Sequence, residues 1–181
     1  DQCGSRGLGD VYKRQLSGSV NPSIDGEAEK TSAELLHVLG SMQNRLVTPA
    51  EFSLNVKCKR ITRRDGHQVF VTLKTQRSLE LPEIIQQFQT LEISQELPSK
   101  PKQAIHLVDQ INPADHLWSN GENFSSNPNP SDDLKTGMAV VVGDLSVEGD
   151  TVSFNAYSHN TIRGAAGGLV YLAEFLLQEN S

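Results

Sequence analysis

The stretch CKRITRRDGHQVFV, residues 58–71, places two chemically capable side chains seven residues apart, Arg60 and His67. A guanidinium can hold a carboxylate through two parallel hydrogen bonds. An imidazole can accept and return a proton near neutral pH. Taken alone, an arginine and a histidine at such positions are more often an edge-strand cation and a turn histidine. The question is which elements hold these two side chains.

The flanking pattern predicts a β-hairpin. Apolar residues alternate with polar ones from Phe52 to Cys58, which is typical of a half-buried strand. The Asp65-Gly66 pair predicts a tight turn, with the glycine at positive φ, and residues 67–75 return as the second strand. Arg60 is then expected at the edge of the apolar face and His67 at the mouth of the turn.

The remaining elements indicate an α+β fold, a mostly antiparallel or mixed sheet with helices on one face. One helix is predicted over residues 26–39, capped by Asp25 and stopped by Gly40, and a second over 81–91 with Pro82 in its first turn. Three strands and a last helix are predicted over 104–110, 137–147, 151–160 and 161–178, with an irregular connection over 112–136.

The last predicted helix begins with three glycines, Gly164, Gly167 and Gly168. Each weakens a helix by up to about 1 kcal/mol relative to alanine. Their presence indicates either close packing of the helix or the close approach of a ligand, and the sequence favours neither. No strand–GxGxxG–helix unit is present, so the chain is not itself predicted to be a dinucleotide-binding domain.

Composition excludes several classes of protein. The net charge of −6 disfavours nucleic-acid binding, which needs clustered cations. No apolar run approaches the roughly 18 residues that span a bilayer, so no membrane role is predicted. The two cysteines, Cys3 and Cys58, favour a reducing cytoplasm, and Cys58 is expected in the core and not as a nucleophile. His37, His106, His116 and His159 show no metal-ligand spacing, so they are expected to be structural or exposed and no metal site is predicted.

Residues 1–15 have neither a helical nor a strand period and are predicted to be a non-native leader, which leaves residues 16–181 as the domain. Three segments of that domain, GEAEKTSAELLHVLG, CKRITRRDGHQVFV and GMAVVVGDLS with SFNAYSHNTIRGAAGG, resemble the C-terminal half of the aspartate-semialdehyde dehydrogenase family in its archaeal–fungal branch. The resemblance implies a domain of the glyceraldehyde-3-phosphate dehydrogenase type that binds substrate and forms a homodimer or homotetramer.

The resemblance also implies an activity, the NADPH-dependent conversion of L-aspartyl 4-phosphate to L-aspartate 4-semialdehyde. In the family a cysteine attacks the acyl phosphate. The segment that carries this cysteine and the glycine-rich cofactor loop have no counterpart in these 181 residues, so the chain alone is expected to be inactive.

By the same resemblance, four residues belong to the catalytic and substrate site. His67 matches the general base, and Arg60 matches the arginine that grips the substrate α-carboxylate. Glu27 matches the acidic residue that holds the substrate amino group, and Lys30 matches a phosphate-side lysine. On helix statistics alone, Glu27, Lys30 and Glu34 share a solvated face with one Glu–Lys pair.

Two further residues are implied to meet the cofactor, NADP. Asn160 matches the asparagine at the nicotinamide carboxamide, and Gly164 would let the last helix begin close to the cofactor domain. Two alternatives stay open: a sister enzyme of the malonyl-CoA reductase type on the same scaffold, and an inactive dimerisation module.

Overall fold

A computed structural model describes residues 24–58, 65–91 and 96–179. They form two compact units: residues 24–58 belong to the first and residues from Asp65 onward to the second. Within these three ranges, no helix combines the length and apolar character needed to cross a membrane.

The first unit opens with helix α1, Glu27–Val38, which agrees with the prediction to within one residue at each end. The predicted cap at Asp25 is wrong. Gly26 occupies the N-cap position at φ 79° and no side chain caps the helix, because glycine reaches this left-handed conformation without a steric cost.

A short hairpin follows α1 and was not predicted. Strands β1, Ser41–Gln43, and β2, Leu46–Thr48, pair antiparallel. Asn44 and Arg45 join them with φ values of 50° and 65°, which is the pattern of a type I′ turn. The turn was missed because its second residue is an arginine, whereas the usual sequence signal for a type I′ turn is Asn-Gly.

The predicted strand before Arg60 is wrong for the residues that the structure describes. Residues 53–58 carry no strand pairing, although Leu54, Val56 and Cys58 are half-buried and alternate with exposed neighbours. The predicted hairpin partner, strand β3 over Gly66–Lys74, pairs antiparallel along its whole length with a strand from much later in the chain. The alternation of apolar and polar residues before Arg60 therefore predicted which side chains are exposed, but it did not predict which strand pairs with β3. Arg60 lies outside the described residues.

The second unit contains the sheet and confirms the α+β class. After β3 come the strands β4, Ile105–Leu107, β5, Val140–Glu148, and β6, Thr151–His159. The four strands lie in the order β3-β6-β5-β4, with β4 and β5 parallel and the other neighbours antiparallel. Helix α2, Leu81–Gln89, has the predicted Pro82 in its first turn and a capping box between Glu80 and Glu83.

The core of this unit lies along β5 and β6. Val141 and Tyr157 are 1% exposed and pack with Ile111, as expected for the near-continuous apolar strand predicted over 137–147. The connection over 112–136 has no helix or paired strand beyond one isolated bridge, as predicted. After β6 the chain makes a π turn, Ile162–Ala166, which leads into helix α3, Gly167–Glu179.

Candidate active site

Two of the predicted site residues meet at one end of the β3–β6 strand pair. His67 is opposite Ser158 in the register, and Gly66 is opposite His159. The backbone N–H of Asn160 donates to the Asp65 carbonyl at 2.8 Å, which continues the pairing one step past the strand end. Directly opposite residues lie about 5 Å apart at Cβ and on one face of the sheet. The ladder therefore fixes the positions of His67 and Asn160 relative to each other, and His67 is exposed to solvent.

Gly66 does not have the positive φ that was predicted for it. The left-handed conformation belongs to Asp65, at φ 58°, and Gly66 is the first residue of β3. A Cβ atom on Gly66 would overlap the Tyr157 hydroxyl. That hydroxyl donates to the Pro113 carbonyl at 3.1 Å. The glycine is thus needed because a core tyrosine passes directly over it.

The glycines of the last helix divide into two groups. A Cβ on Gly167 would lie 2.7 Å from the Ile162 carbonyl oxygen and 2.8 Å from Met138 Sδ, and one on Gly168 would lie 2.8 Å from the Arg163 carbonyl oxygen. Packing alone explains these two. A Cβ on Gly164 would meet only Asn160 Oδ1, at an ordinary 3.6 Å. Among the described residues, no packing contact requires a glycine there, and its exposed backbone leaves room for a ligand beside Asn160.

His159 is a residue whose role the sequence did not reveal beyond "structural or exposed". It is 4% exposed. Its Nδ1 accepts the backbone N–H groups of Thr161 at 3.2 Å and Ile162 at 3.1 Å. These belong to the first turn of a helix, where backbone donors lack intrahelical partners. Burial lowers the pKa of His159, and the Asp65 carboxylate offsets part of that shift. The signal in the sequence was its parity with Tyr157, which places both on the buried face of β6.

The irregular connection over residues 112–136 also contacts the His159 ring. The ring of Trp118 lies 4.3 Å from that of His159, centroid to centroid. The next residue, Ser119, is fully buried and its carbonyl accepts from both Gly137 and Ala139. These bonds tie the start of the connection to its end.

Glu27 and Lys30 lie in the first unit, on α1. Lys30 pairs with Glu34 at 3.6 Å, and both side chains are well exposed. Glu27 is half-buried, and its carbonyl accepts from the Thr31 hydroxyl. The solvated Glu–Lys pair that helix statistics favoured is therefore present.

Two further histidines form an aromatic stack. The rings of His106 and His116 lie on the Phe124 ring at centroid distances of 4.3 and 4.5 Å. Burial and the neighbouring His116 lower the pKa of His106, and its Nδ1 is bonded to the Ser119 hydroxyl at 2.7 Å. Among the residues that the structure describes, no group of three or more His, Cys, Asp or Glu is arranged to hold a metal ion.

An open cleft of about 270 Å³ lies within the long connection, lined by Trp118, Phe124 and a set of amide and carboxylate side chains. Of the predicted site residues, the five that the structure describes do not line this cleft.

Comparison with known proteins gives a consistent result. The family model described as "Semialdehyde dehydrogenase, dimerisation domain" matches residues 5–163. The chain is 30% identical over 176 residues to the aspartate-semialdehyde dehydrogenase of Methanothermobacter thermautotrophicus, covering 94% of this chain and 47% of that protein. It is also 30% identical over 164 residues to the malonyl CoA reductase (NADP) of Metallosphaera sedula, covering 87% and 43%.

A solved structure has the same fold. The crystal structure of aspartate-semialdehyde dehydrogenase with NADP from Candida albicans matches with a TM-score of 0.64 and 26% identity, over 88% of this chain and 44% of that one. The chain thus spans about half the length of the relatives that it matches.

Proposed function

The chain belongs to the semialdehyde dehydrogenase dimerisation-domain family, and from that premise we propose that it is the substrate-binding, dimerising half of an NADP-dependent aspartate-semialdehyde dehydrogenase. The observation that carries the proposal is the meeting of His67 and Asn160 at one strand end. These are the two residues that the family resemblance assigns to proton transfer and to the cofactor.

In the proposed reaction, L-aspartyl 4-phosphate, NADPH and a proton give L-aspartate 4-semialdehyde, NADP and phosphate. His67 is the general base that takes the proton of the attacking thiol, since a thiol is a weak nucleophile until it is deprotonated. A base at a strand end keeps its position through the backbone ladder, and such a positioned base contributes roughly 100- to 10,000-fold to a rate. The attacking cysteine is expected in a part of the enzyme outside this chain.

The substrate is a zwitterion with a phosphoryl group, and three residues suit its charges. We assign Arg60 to the α-carboxylate, Glu27 to the amino group and Lys30 to the phosphate side. Use of Lys30 in this way requires it to leave Glu34. That costs little, because an exposed i,i+4 pair contributes only about 0.3–0.5 kcal/mol.

The cofactor supplies a hydride to the acyl carbon when it is bound. For its binding we assign the Asn160 side chain to the nicotinamide carboxamide and the backbone at Gly164 to close approach. The space found at Gly164 supports this assignment, because that glycine is exposed and, within the part of the chain that the structure describes, a Cβ there would meet only Asn160 Oδ1.

A second copy of the chain is the proposed partner, as a dimer or a tetramer. The family description and several exposed apolar side chains support a contact of this kind, among them Phe70 at 74% and Leu169 at 68% exposure. The cytoplasm is the proposed compartment, in line with the low cysteine content.

The malonyl-CoA reductase activity is the second candidate, because a relative with that name is also 30% identical. Both substrates carry a carboxylate that an arginine can hold, so the site residues do not separate them. Substrate kinetics can.

The test is an assay of a complete enzyme, made by joining the chain to the N-terminal half of the Methanothermobacter relative. We expect NADPH formation from aspartate semialdehyde and phosphate, and no NADPH oxidation with malonyl-CoA. The 181-residue chain alone is the control and is expected to give no turnover. Turnover with malonyl-CoA and none with the semialdehyde would replace the first candidate by the second.

Arg60 offers the sharpest check of the substrate assignment. Arg60→Leu in the complete enzyme should cost about 2–4 kcal/mol in kcat/KM, since it removes a charge-assisted bidentate pair. Arg60→Lys should recover only part of this, because an ammonium cannot form the fork. Full activity in Arg60→Leu would show that the residue does not contact the substrate.

A further inference from the structure

The step from β6 into the last helix depends on one buried imidazole. His159 Nδ1 receives the N–H groups of both Thr161 and Ile162. The residue between them and His159 is Asn160, whose own N–H bonds to the Asp65 carbonyl. Asn160 is thus held on both sides, by the strand pair and by the histidine cap.

We propose that His159 is the positioning residue of the cofactor contact: its Nδ1, acting as an acceptor, fixes the helix start and with it Asn160 and Gly164. This rests on the proposed function for the cofactor part alone. The Nδ1 atom can accept these N–H groups only when it carries no proton, so the neutral ring has its proton on Nε2.

Three observations point to an acceptor role and not to packing alone. The N-cap residue Thr161 makes no side-chain cap bond, and within the described part of the second unit His159 is the side chain that bonds to the amides of Thr161 and Ile162. The π turn closes through a hydrogen bond from the Ala166 N–H to the Thr161 carbonyl at 2.7 Å. The peptide between Thr161 and Ile162 therefore accepts from the π turn through its carbonyl and donates to His159 through its N–H. The pKa of His159 is lowered by burial, which favours the neutral ring.

The groups around the ring are consistent with a neutral acceptor. Trp118 covers it from the long connection and carries no charge. Asp65, at the end of β3, is the charged group that acts on it and favours protonation, but burial outweighs this effect. Protonation would turn Nδ1 into a donor and place it against two other donors.

Two substitutions separate the acceptor from the ring. His159→Asn keeps an oxygen at the place of Nδ1 but loses the ring, whereas His159→Phe keeps a ring against Trp118 but has no acceptor. In the 181-residue chain we expect His159→Phe to speed hydrogen exchange at Thr161, Ile162 and Asn160 by about tenfold or more relative to wild type. His159→Asn should retain most of the protection. Nitrogen NMR of the wild-type ring should show Nδ1 unprotonated.

The complete enzyme then tests the cofactor part. We expect His159→Phe to raise the KM for NADP by about tenfold with a smaller change in the KM for the semialdehyde, and His159→Asn to restore it in large part. If the amides stay protected from hydrogen exchange in His159→Phe but lose protection in His159→Asn, the histidine has a packing role and the proposal is overturned. Loss of exchange protection in His159→Phe with an unchanged KM for NADP would overturn it too. A complete enzyme with no activity on the semialdehyde would count against the proposed function alone, because the exchange result is independent of catalysis.

Discussion

Helix α1 and the β3–β6 strand end hold their polar residues in opposite ways. On α1, Lys30 pairs with Glu34 in solvent, and both side chains are more than half exposed. At the strand end, a continuous register places His67 beside Ser158, and a buried histidine caps the chain that carries Asn160. The strand end is therefore ordered by its own backbone, whereas Lys30 on α1 is held only by an exposed side-chain pair. A proton-transfer group needs the first kind of support, and groups that grip a substrate can work with the second.

Removal of the proposed base tests the ordered side of this contrast and has the largest expected effect. His67→Asn keeps a polar side chain but cannot exchange a proton near neutral pH, so kcat of the complete enzyme should fall at least about 100-fold. A thermal melt should be nearly unchanged, because the side chain is exposed. His37→Asn, at the exposed last turn of α1, is the matched control and should keep the wild-type rate. A His67→Asn rate within a few-fold of wild type would make His67 an ordinary turn residue.

Gly167, which is closely packed, and Gly164, which is exposed, allow a similar comparison at the start of one helix. Gly167→Ala should destabilise the chain by about 1–3 kcal/mol, because its Cβ would press on Met138 and the Ile162 carbonyl. Gly164→Ala should stabilise it by about 0.4–1 kcal/mol and yet raise the KM for NADP. Denaturant melts and steady-state kinetics measure the two effects. A stable Gly164→Ala enzyme with normal cofactor affinity would remove Gly164 from the site.

Acid should loosen the second unit through the half-buried His106 and the buried His159. The pKa values of His106 and His159 are lowered in the folded chain, mainly by burial, so the unfolded chain takes up these protons first as the pH falls. Their contribution to stability is complete above about pH 6.5, the unfolded value, and is lost as the pH falls through the folded values. Thermal melts above and below that pH should show the decline, and His159→Asn should reduce it. A melting temperature that rises toward acid in this range would contradict the assignment of neutral His106 and His159 rings.

The smallest effect is expected on α1. Glu34→Gln breaks the exposed pair with Lys30 and should change the free energy of unfolding by no more than about 0.5 kcal/mol. Activity should be unchanged or slightly higher, since Lys30 is then free for the phosphate side. Lys30→Met costs as little stability but should raise the KM for phosphate in the reverse assay. Equal kinetics for both variants would leave Lys30 as a surface residue.

The sequence predicted most helices and strands of the second unit because their signals are local. Pro82 and the capping box mark the start of α2, and the apolar run 137–147 marks the buried strand. Strand pairing was harder. The Asp65-Gly66 signal predicted a hairpin with the preceding segment, but the described residues 53–58 of that segment carry no strand pairing, and β3 pairs with β6, which comes much later in the chain. Gly66 is small because Tyr157 crosses it, which is a tertiary reason that no local pattern contains.

The residues of the candidate site came from a family resemblance and not from a local pattern. The structure places two of them, His67 and Asn160, at one strand end, and their roles stay predictions. His159 was passed over because a lone histidine at a strand end has no spacing signal. The role of His159 comes from the orientation of its Nδ1 toward two backbone amides, which only the three-dimensional structure shows.

The carbonyl of Ser119, which accepts from both Gly137 and Ala139, closes the residues between them into a loop with a fixed neck. Asn120, Asn129 and Asp133 order that loop by bonds that span only two or three residues. Phe124 couples the first part of the loop to β4 through its stack on His106, whereas the bonds made by Asn129 and Asp133 are local to the tip. Lengthening a closed loop at such a tip costs only about 0.6 kcal/mol for each doubling. Evolution can lengthen or trim the tip without disturbing the strands, and a protein engineer can graft a label or a second domain there and leave the neck intact.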